Sequence, residues 1–284
     1  MSGPPVPAHQ PPTSALAQLR AQWSTPRSAA RETEFPPIRN FVLDVMTEGR
    51  RKNIINLVMQ ADITALLSTL GSTPPGEGVA MSVTSAVAAA LVQALQEHPG
   101  FNAYRQGGSK LVLFDDIDLS FTVERDLDGT LVPVPCIVRA ANRKSAAQIH
   151  GELQAAKIAP LGQTGPMSAL EKSFFLSPRF LRSLVWFFIR RDPYKFKQLA
   201  GTVGVTSMGM FAGGAMVVQP ITPMTLTLSI GTIEKRPMWI NDMPGERAFI
   251  HLNLGADHDI IDGAPLMRFA ESFRLALEHP PAPA

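Results

Sequence analysis

Among the 284 residues there is a single cysteine, Cys136. That excludes an internal disulfide framework and any zinc site built from several thiolates. Charge of either sign is scarce: 26 Lys and Arg face 24 Asp and Glu, a net of +2 that gives no electrostatic reason to expect nucleic acid. No apolar run approaches the ~20 residues a helix needs to cross a bilayer. No secretory leader is visible, so a soluble protein in the reducing cytoplasm is expected. Also missing are a repeating βαβ period and a glycine-rich phosphate loop, which argues against a doubly wound nucleotide-binding fold. What is present is 45% apolar residues, enough for one large domain or two small ones.

Residues 1–33 carry six prolines and little apolar periodicity. They read as a disordered arm, because too few apolar groups are available to offset the entropy of ordering. The domain proper is expected over 34–284. Ile54–Met59 reads as a strand, Ala61–Leu70 as a short helix, and Val79–Glu97 as a helix stopped by His98-Pro99-Gly100. Strands are expected over Leu111–Phe114, Ile117–Val123 and Leu131–Val138, with a turn at Asp126–Gly129. A helix over Ser145–Lys157 follows, then strands at Val203–Thr206, Leu226–Ile233 and Phe249–Leu254, and a last helix over Pro265–Glu278. The interleaving points to an α/β sandwich on a mixed sheet.

One stretch stands apart. Residues 174–196 hold eight of the twenty aromatics, threaded with Arg179, Arg182, Arg190, Arg191 and Lys195. A core helix with arginine stems snorkelling past apolar neighbours is the plain reading. The alternatives are contact with a membrane surface or an acyl chain, and docking of a partner.

Of six histidines, His9 and His279 lie near the proline-rich ends, His98 and His150 at a helix end and on a helix face, and His251 inside a strand. Only His258, in Ala256-Asp257-His258-Asp259-Ile260-Ile261-Asp262-Gly263, sits at a strand-to-helix junction. Three readings stay open on the residues alone. Asp262 suits a helix N-cap ahead of Gly263, Ala264 and Pro265. His258 with nearby carboxylates is chemically able to ligate a metal, although no second histidine has ligand spacing. His258 also carries an imidazole, the side chain most often used as a general base.

The run His258-Asp259-Ile260-Ile261-Asp262-Gly263 resembles the H-x-x-x-D-G motif of chloramphenicol acetyltransferases and of the catalytic domains of dihydrolipoyl acyltransferases, the core components of 2-oxo-acid dehydrogenase complexes. Phe114–Val123 with Gly129–Val134, then Gly201–Phe211, then Gln219-Pro220, Leu228–Gly231 and Arg236-Pro237, resemble further segments of that family in order. The likeness runs from about 39 to 279. It implies a chloramphenicol acetyltransferase-like two-layer α/β sandwich with a mixed sheet, and active sites between the subunits of a homotrimer. It further implies His258 as the base, Thr206 as the oxyanion-stabilising hydroxyl, Ser207 and Gly209 beside substrate, and Asp262 as an architectural group ion-paired with Arg39. Coenzyme A, or a lipoyl group on another chain, would be a co-substrate; no bound cofactor or metal is implied.

There are departures. Asp259 stands where the family usually has Arg, Ser207 where Asn is common, and segment 174–197 is longer than the usual loop. Lipoyl and subunit-binding domains and an apolar C-terminal anchor are not seen, so a free trimer or another assembly is expected. The rival function is a non-catalytic trimeric scaffold that binds partners. Cys136, within a strand run, is expected to pack rather than react.

Overall fold

In the computed structural model the described residues are 14–16, 31, 33–36, 39–71, 81–127, 130–158, 177–209, 213–240 and 242–280. The arm expected over 1–33 lies almost wholly outside them, as does the turn at Asp128-Gly129. The chain from Pro37 onward forms one compact unit. Its helices are α1 (Arg39–Gly49), α2 (Thr64–Gly71), α3 (Val83–Glu97), α4 (Ala146–Ile158), α5 (Arg179–Ile189), α6 (Pro193–Ala200) and α7 (Gly263–Glu278). The strands are β1 (Ile54–Asp62), β2 (Ala103–Gln106), β3 (Lys110–Leu113), β4 (Leu119–Leu127), β5 (Thr130–Val138), β6 (Val203–Ser207), β7 (Leu226–Ile240) and β8 (Met243–Asp257).

Six strands form one sheet in the order β1-β8-β7-β6-β4-β5, and β2 and β3 make a separate hairpin. The central pairings β4–β6 and β6–β7 are parallel and the outer ones antiparallel, so the sheet is mixed. Because side chains alternate across a strand, one face gathers Leu119, Phe121, Val203, Val205, Leu226, Leu228, Leu252 and Leu254. That face packs on the apolar sides of α3 and α7, where Leu91, Leu95, Phe269 and Phe273 are buried; the Phe101 and Phe269 rings stack at 4.3 Å. The other face presents the small and polar residues Ser120, Gly204, Thr206, Thr227, Ser229 and Asn253.

Local boundaries differ from the sequence reading in instructive places. Of the helix expected from Val79, residues 79–80 lie outside the described residues; the helix itself begins at Val83, because Ser82 and Ser85 exchange side-chain-to-backbone hydrogen bonds at 3.2 and 3.1 Å in a capping box. Ala61 and Asp62 continue β1 opposite Ile250 and Phe249. The Asp62 carboxylate then accepts from the Thr64 N–H at 2.9 Å and starts α2 there. Strands β7 and β8 run far beyond their expected ends as a two-stranded ribbon, in which Pro237 faces Glu246 and Pro244 faces Trp239. A ribbon edge tolerates the missing proline N–H, whereas a central strand does not.

The aromatic segment is two helices, not one. Asp192 caps α6, accepting from the N–H groups of Tyr194 and Lys195, and Pro193 occupies its first turn. Arg182 does not snorkel: it is buried and donates through Nε to Asp44 on α1 at 2.8 Å. Trp186 is buried with Phe196 and Tyr104 in a cluster of their own. The opposite side of α5 stays open, with Phe180 70% and Phe188 58% exposed.

Candidate active site

His258 follows the last residue of β8, and the register explains how it is held. Ile54 of β1 faces Asp257, so Lys52 and Asn53, just before β1, lie against the residues just after β8. The His258 N–H donates to the Asn53 carbonyl at 2.7 Å. Lys52 Nζ lies 2.6 Å from Asp257 Oδ2, and that carboxylate is buried. Its other oxygen accepts from the Asp259 N–H at 3.2 Å, while the Asp257 carbonyl accepts from Ile260 and Ile261. Asp257 therefore ties the turn together from inside. The imidazole itself is 46% exposed, with Nδ1 3.7 Å from Asp262 Oδ1, and no described residue hydrogen-bonds Nε2.

Asp262 occupies the N-cap position of α7, yet its side chain makes no cap hydrogen bond. Pro265 stands at the third helical position and has no N–H to offer, so the carboxylate turns toward His258 instead. The ion pair expected between Asp262 and Arg39 does not form within the chain. Arg39 is exposed at the start of α1, and His258 is the one ion-pair partner of Asp262 among the described residues. No motif or spacing pairs Lys52 with Asp257; their strand register is the signal that places them. Asp259 is committed elsewhere: Asn53 Nδ2 donates to it at 2.8 Å, and Arg105 lies 3.7 Å away.

A cleft of about 300 Å³ opens beside this turn, between Asp259 and residues 190–193. Arg51, Lys52, Arg105, Arg190 and Arg191 line it against two acids, Glu48 and Asp259. Arg191 is braced by stacking its guanidinium 3.8 Å from the Phe187 ring centre. No group of three His, Cys, Asp or Glu side chains able to hold a metal occurs among the described residues.

Thr206 lies elsewhere. It sits on β6 facing Ser229 of β7, which in turn faces Asn253 of β8. His258 is therefore two strands across and five residues along the sheet from Thr206. At ~4.8 Å per strand and ~3.3 Å per residue, the two backbones are on the order of 19 Å apart. One chain does not bring them together. Ser207 is within 3.3 Å of the Thr84 hydroxyl at the edge of the same region. Gly209 is required by space: a Cβ there would fall onto the Gly231 carbonyl oxygen. Behind Thr206 lies a cavity of about 270 Å³, closed by α1, α5, α6 and residues 220–224.

Two other groups fall outside this chemistry. Burial, and secondarily Glu152, push the Cys136 thiol up from its ordinary pKa, which disfavours the nucleophilic thiolate. His251, buried in β8, lies 3.4 Å from Glu234.

The profile of the 2-oxoacid dehydrogenase acyltransferase catalytic domain matches residues 27–170 and 192–283. The chain belongs to this family. The two matched blocks leave 171–191 outside them, and α5 falls wholly within that gap. Among curated relatives, the dihydrolipoyllysine-residue acetyltransferase component of the acetoin cleaving system of Bacillus subtilis is 26% identical over 95% of this chain and 61% of its own length. The acetyltransferase component of the pyruvate dehydrogenase complex of Mycobacterium bovis is 28% identical over 71% of this chain and 32% of its own. The chain thus spans less than two thirds of these relatives. Among solved structures, a probable dihydrolipoamide acetyltransferase from Listeria monocytogenes superposes with a TM-score of 0.64 at 21% identity, covering 88% of this chain and 94% of that one. The cubic core of the pyruvate dehydrogenase multienzyme complex gives 0.63 at 20% identity, with 97% of each chain covered. The mixed-sheet sandwich implied by the sequence resemblance is the fold of these cores.

Proposed function

We propose that the protein transfers an acyl group between coenzyme A and a dihydrolipoyl thiol, with His258 as general base and Thr206 of a neighbouring copy as the oxyanion donor. The observation that carries this reading is the arrangement of His258. Its backbone is fixed by Asn53 and the Lys52–Asp257 pair, its Nδ1 side faces the Asp262 carboxylate, and its ring stands in solvent. A carboxylate on the Nδ1 side favours the tautomer protonated there and leaves Nε2 as the proton acceptor.

In the forward step Nε2 takes the proton of the acceptor thiol, and the thiolate sulfur attacks the thioester carbonyl carbon. The carbonyl oxygen becomes an oxyanion that accepts the Thr206 hydroxyl. As the tetrahedral intermediate collapses, the original carbon–sulfur bond breaks, and the departing thiolate recovers the proton from the imidazolium. A hydroxyl donor of this kind contributes about 3 kcal/mol at the transition state.

The separation of His258 and Thr206 within one chain supports a site shared between copies, as in a closed trimer. A solved dihydrolipoamide acetyltransferase from Azotobacter vinelandii, 18% identical over 97% of this chain, was investigated for the roles of a serine, a histidine and an asparagine in its catalytic mechanism. Those three are spaced as Thr206, His258 and Asp262 are spaced here. The cationic cleft beside Lys52 and Arg105 suits an anionic co-substrate such as coenzyme A.

Thiol release from acyl-coenzyme A with dihydrolipoamide as acceptor tests the reading. His258→Ala is expected to lower kcat by ~10²-fold or more. Equal turnover in the variant and the wild type would remove His258 from the chemistry.

A further inference from the structure

The cavity behind Thr206 is larger than a small acyl group requires. Its volume of about 270 Å³ is several times the ~30 Å³ that liquid water occupies per molecule, so an acetyl methyl would leave most of it empty. Its lining is mostly apolar and, besides Thr206, includes Val42, Val45 and Met46 of α1, Leu199 of α6 and Trp186 of α5. Trp186 comes from the helix that lies between the two family-matched blocks. It is held rigidly, since Arg182, one helical turn earlier, is buried against Asp44 of α1. Thr206 itself lines the cavity, so an acyl group whose carbonyl oxygen meets the Thr206 hydroxyl has this apolar space beside it.

We infer that the cavity receives the acyl chain of the thioester, that the protein prefers medium-length saturated acyl groups to acetyl, and that Trp186 sets the length limit. The inference rests on the acyl-transfer reading and adds the substrate class to it. Each further methylene buried in such a cavity raises affinity about fourfold. The carrier is either coenzyme A or dihydrolipoamide; the apolar chain is the shared chemistry.

The test uses thioethers, which bind without reacting. S-dodecyl-, S-octyl- and S-ethyl-coenzyme A, and the same three S-alkyl dihydrolipoamides, are titrated calorimetrically into the wild-type chain, Val42→Phe and Trp186→Ala. The octyl compound is expected to bind at least tenfold more tightly than the ethyl compound on one carrier or both, and the carrier showing the effect is the source of the chain. Val42→Phe, which fills the cavity, is expected to reduce that ratio to near one. Trp186→Ala, which enlarges the cavity by removing a lining side chain, is expected to move the preference from octyl to dodecyl, and it keeps the test open should the phenylalanine variant not fold. An octyl-to-ethyl ratio near one on both carriers overturns the inference. So does a change of oligomeric state in Val42→Phe by light scattering without any chain-length effect, which would make the cavity a contact between copies. A chain-length preference in binding with no turnover of octanoyl-coenzyme A leaves the chain site standing and removes the transfer reading instead.

Discussion

The sandwich and the helix α5 solve the same problem by opposite means. Between the sheet and helices α3 and α7, cohesion comes from interdigitated apolar side chains such as Leu91, Leu254, Phe269 and Phe273, all buried. Helix α5 has a strongly apolar sequence, yet it leaves Phe180, Leu184 and Phe188 exposed and docks through the buried Arg182–Asp44 pair and Trp186. Apolar packing tolerates many arrangements, whereas a buried ion pair admits one orientation, because either charge left alone is costly. Helix α5 is thus placed with precision rather than held with strength. That is what a wall of a substrate cavity needs.

The sandwich has the most stability to lose. Phe269→Ala should cost about 3–5 kcal/mol of global stability, seen as a lower denaturant midpoint with α5 and the sheet unfolding together. Asp44→Ala should cost about 3 kcal/mol at α5, because it strands the buried Arg182 guanidinium. Its signature is local: fast hydrogen exchange over 179–189 with protection of β7 and β8 retained. Asp44→Leu combined with Arg182→Met should recover much of the loss, and failure to recover it would mean that the pair does more than hold the helix. A smaller effect concerns Tyr104, the buried phenol between the hairpin and α6, which donates to the carbonyls of Gly201 at 2.8 Å and Thr202 at 3.2 Å. Burial first, and Asp118 second, push its pKa far up. Below the ordinary tyrosine pKa of ~10 its contribution is fully present; above it the unfolded chain ionises first and stability falls as pH rises. Tyr104→Phe should flatten that alkaline slope in thermal melts measured between about pH 9 and 11.

The sequence disclosed the local and periodic parts of this molecule. The alternation in Phe249–Leu254, the helix after Gly263 and the polar turn around His258 were all readable. Helix α1 was not, because its buried face carries Asp44 and Glu48, acids that look solvent-facing until Arg182, 138 residues away, and Arg190 are placed against them. Lys52 and Asp257 meet across 205 residues for the same reason. The outer halves of β7 and β8 were hidden by Pro237 and Pro244, residues that normally argue against a strand. The cavity behind Thr206 gathers residues from four distant stretches, and no spacing rule reaches that far. The Arg39–Asp262 pair is implied only by the family resemblance, and within the chain the His258 imidazole stands in front of Asp262.

In the proposed trimer, one active site takes His258 from one chain and Thr206 from the next. His258→Ala and Thr206→Ala chains, each severely impaired alone, can be unfolded together and refolded as mixed oligomers, then assayed for acyl transfer from coenzyme A to dihydrolipoamide. In a randomly mixed cyclic trimer, about one site in four pairs an intact histidine with an intact threonine, so roughly a quarter of wild-type activity should return. Activity that stays at the level of the separate variants, in oligomers shown to contain both chains, would contradict a site shared between subunits.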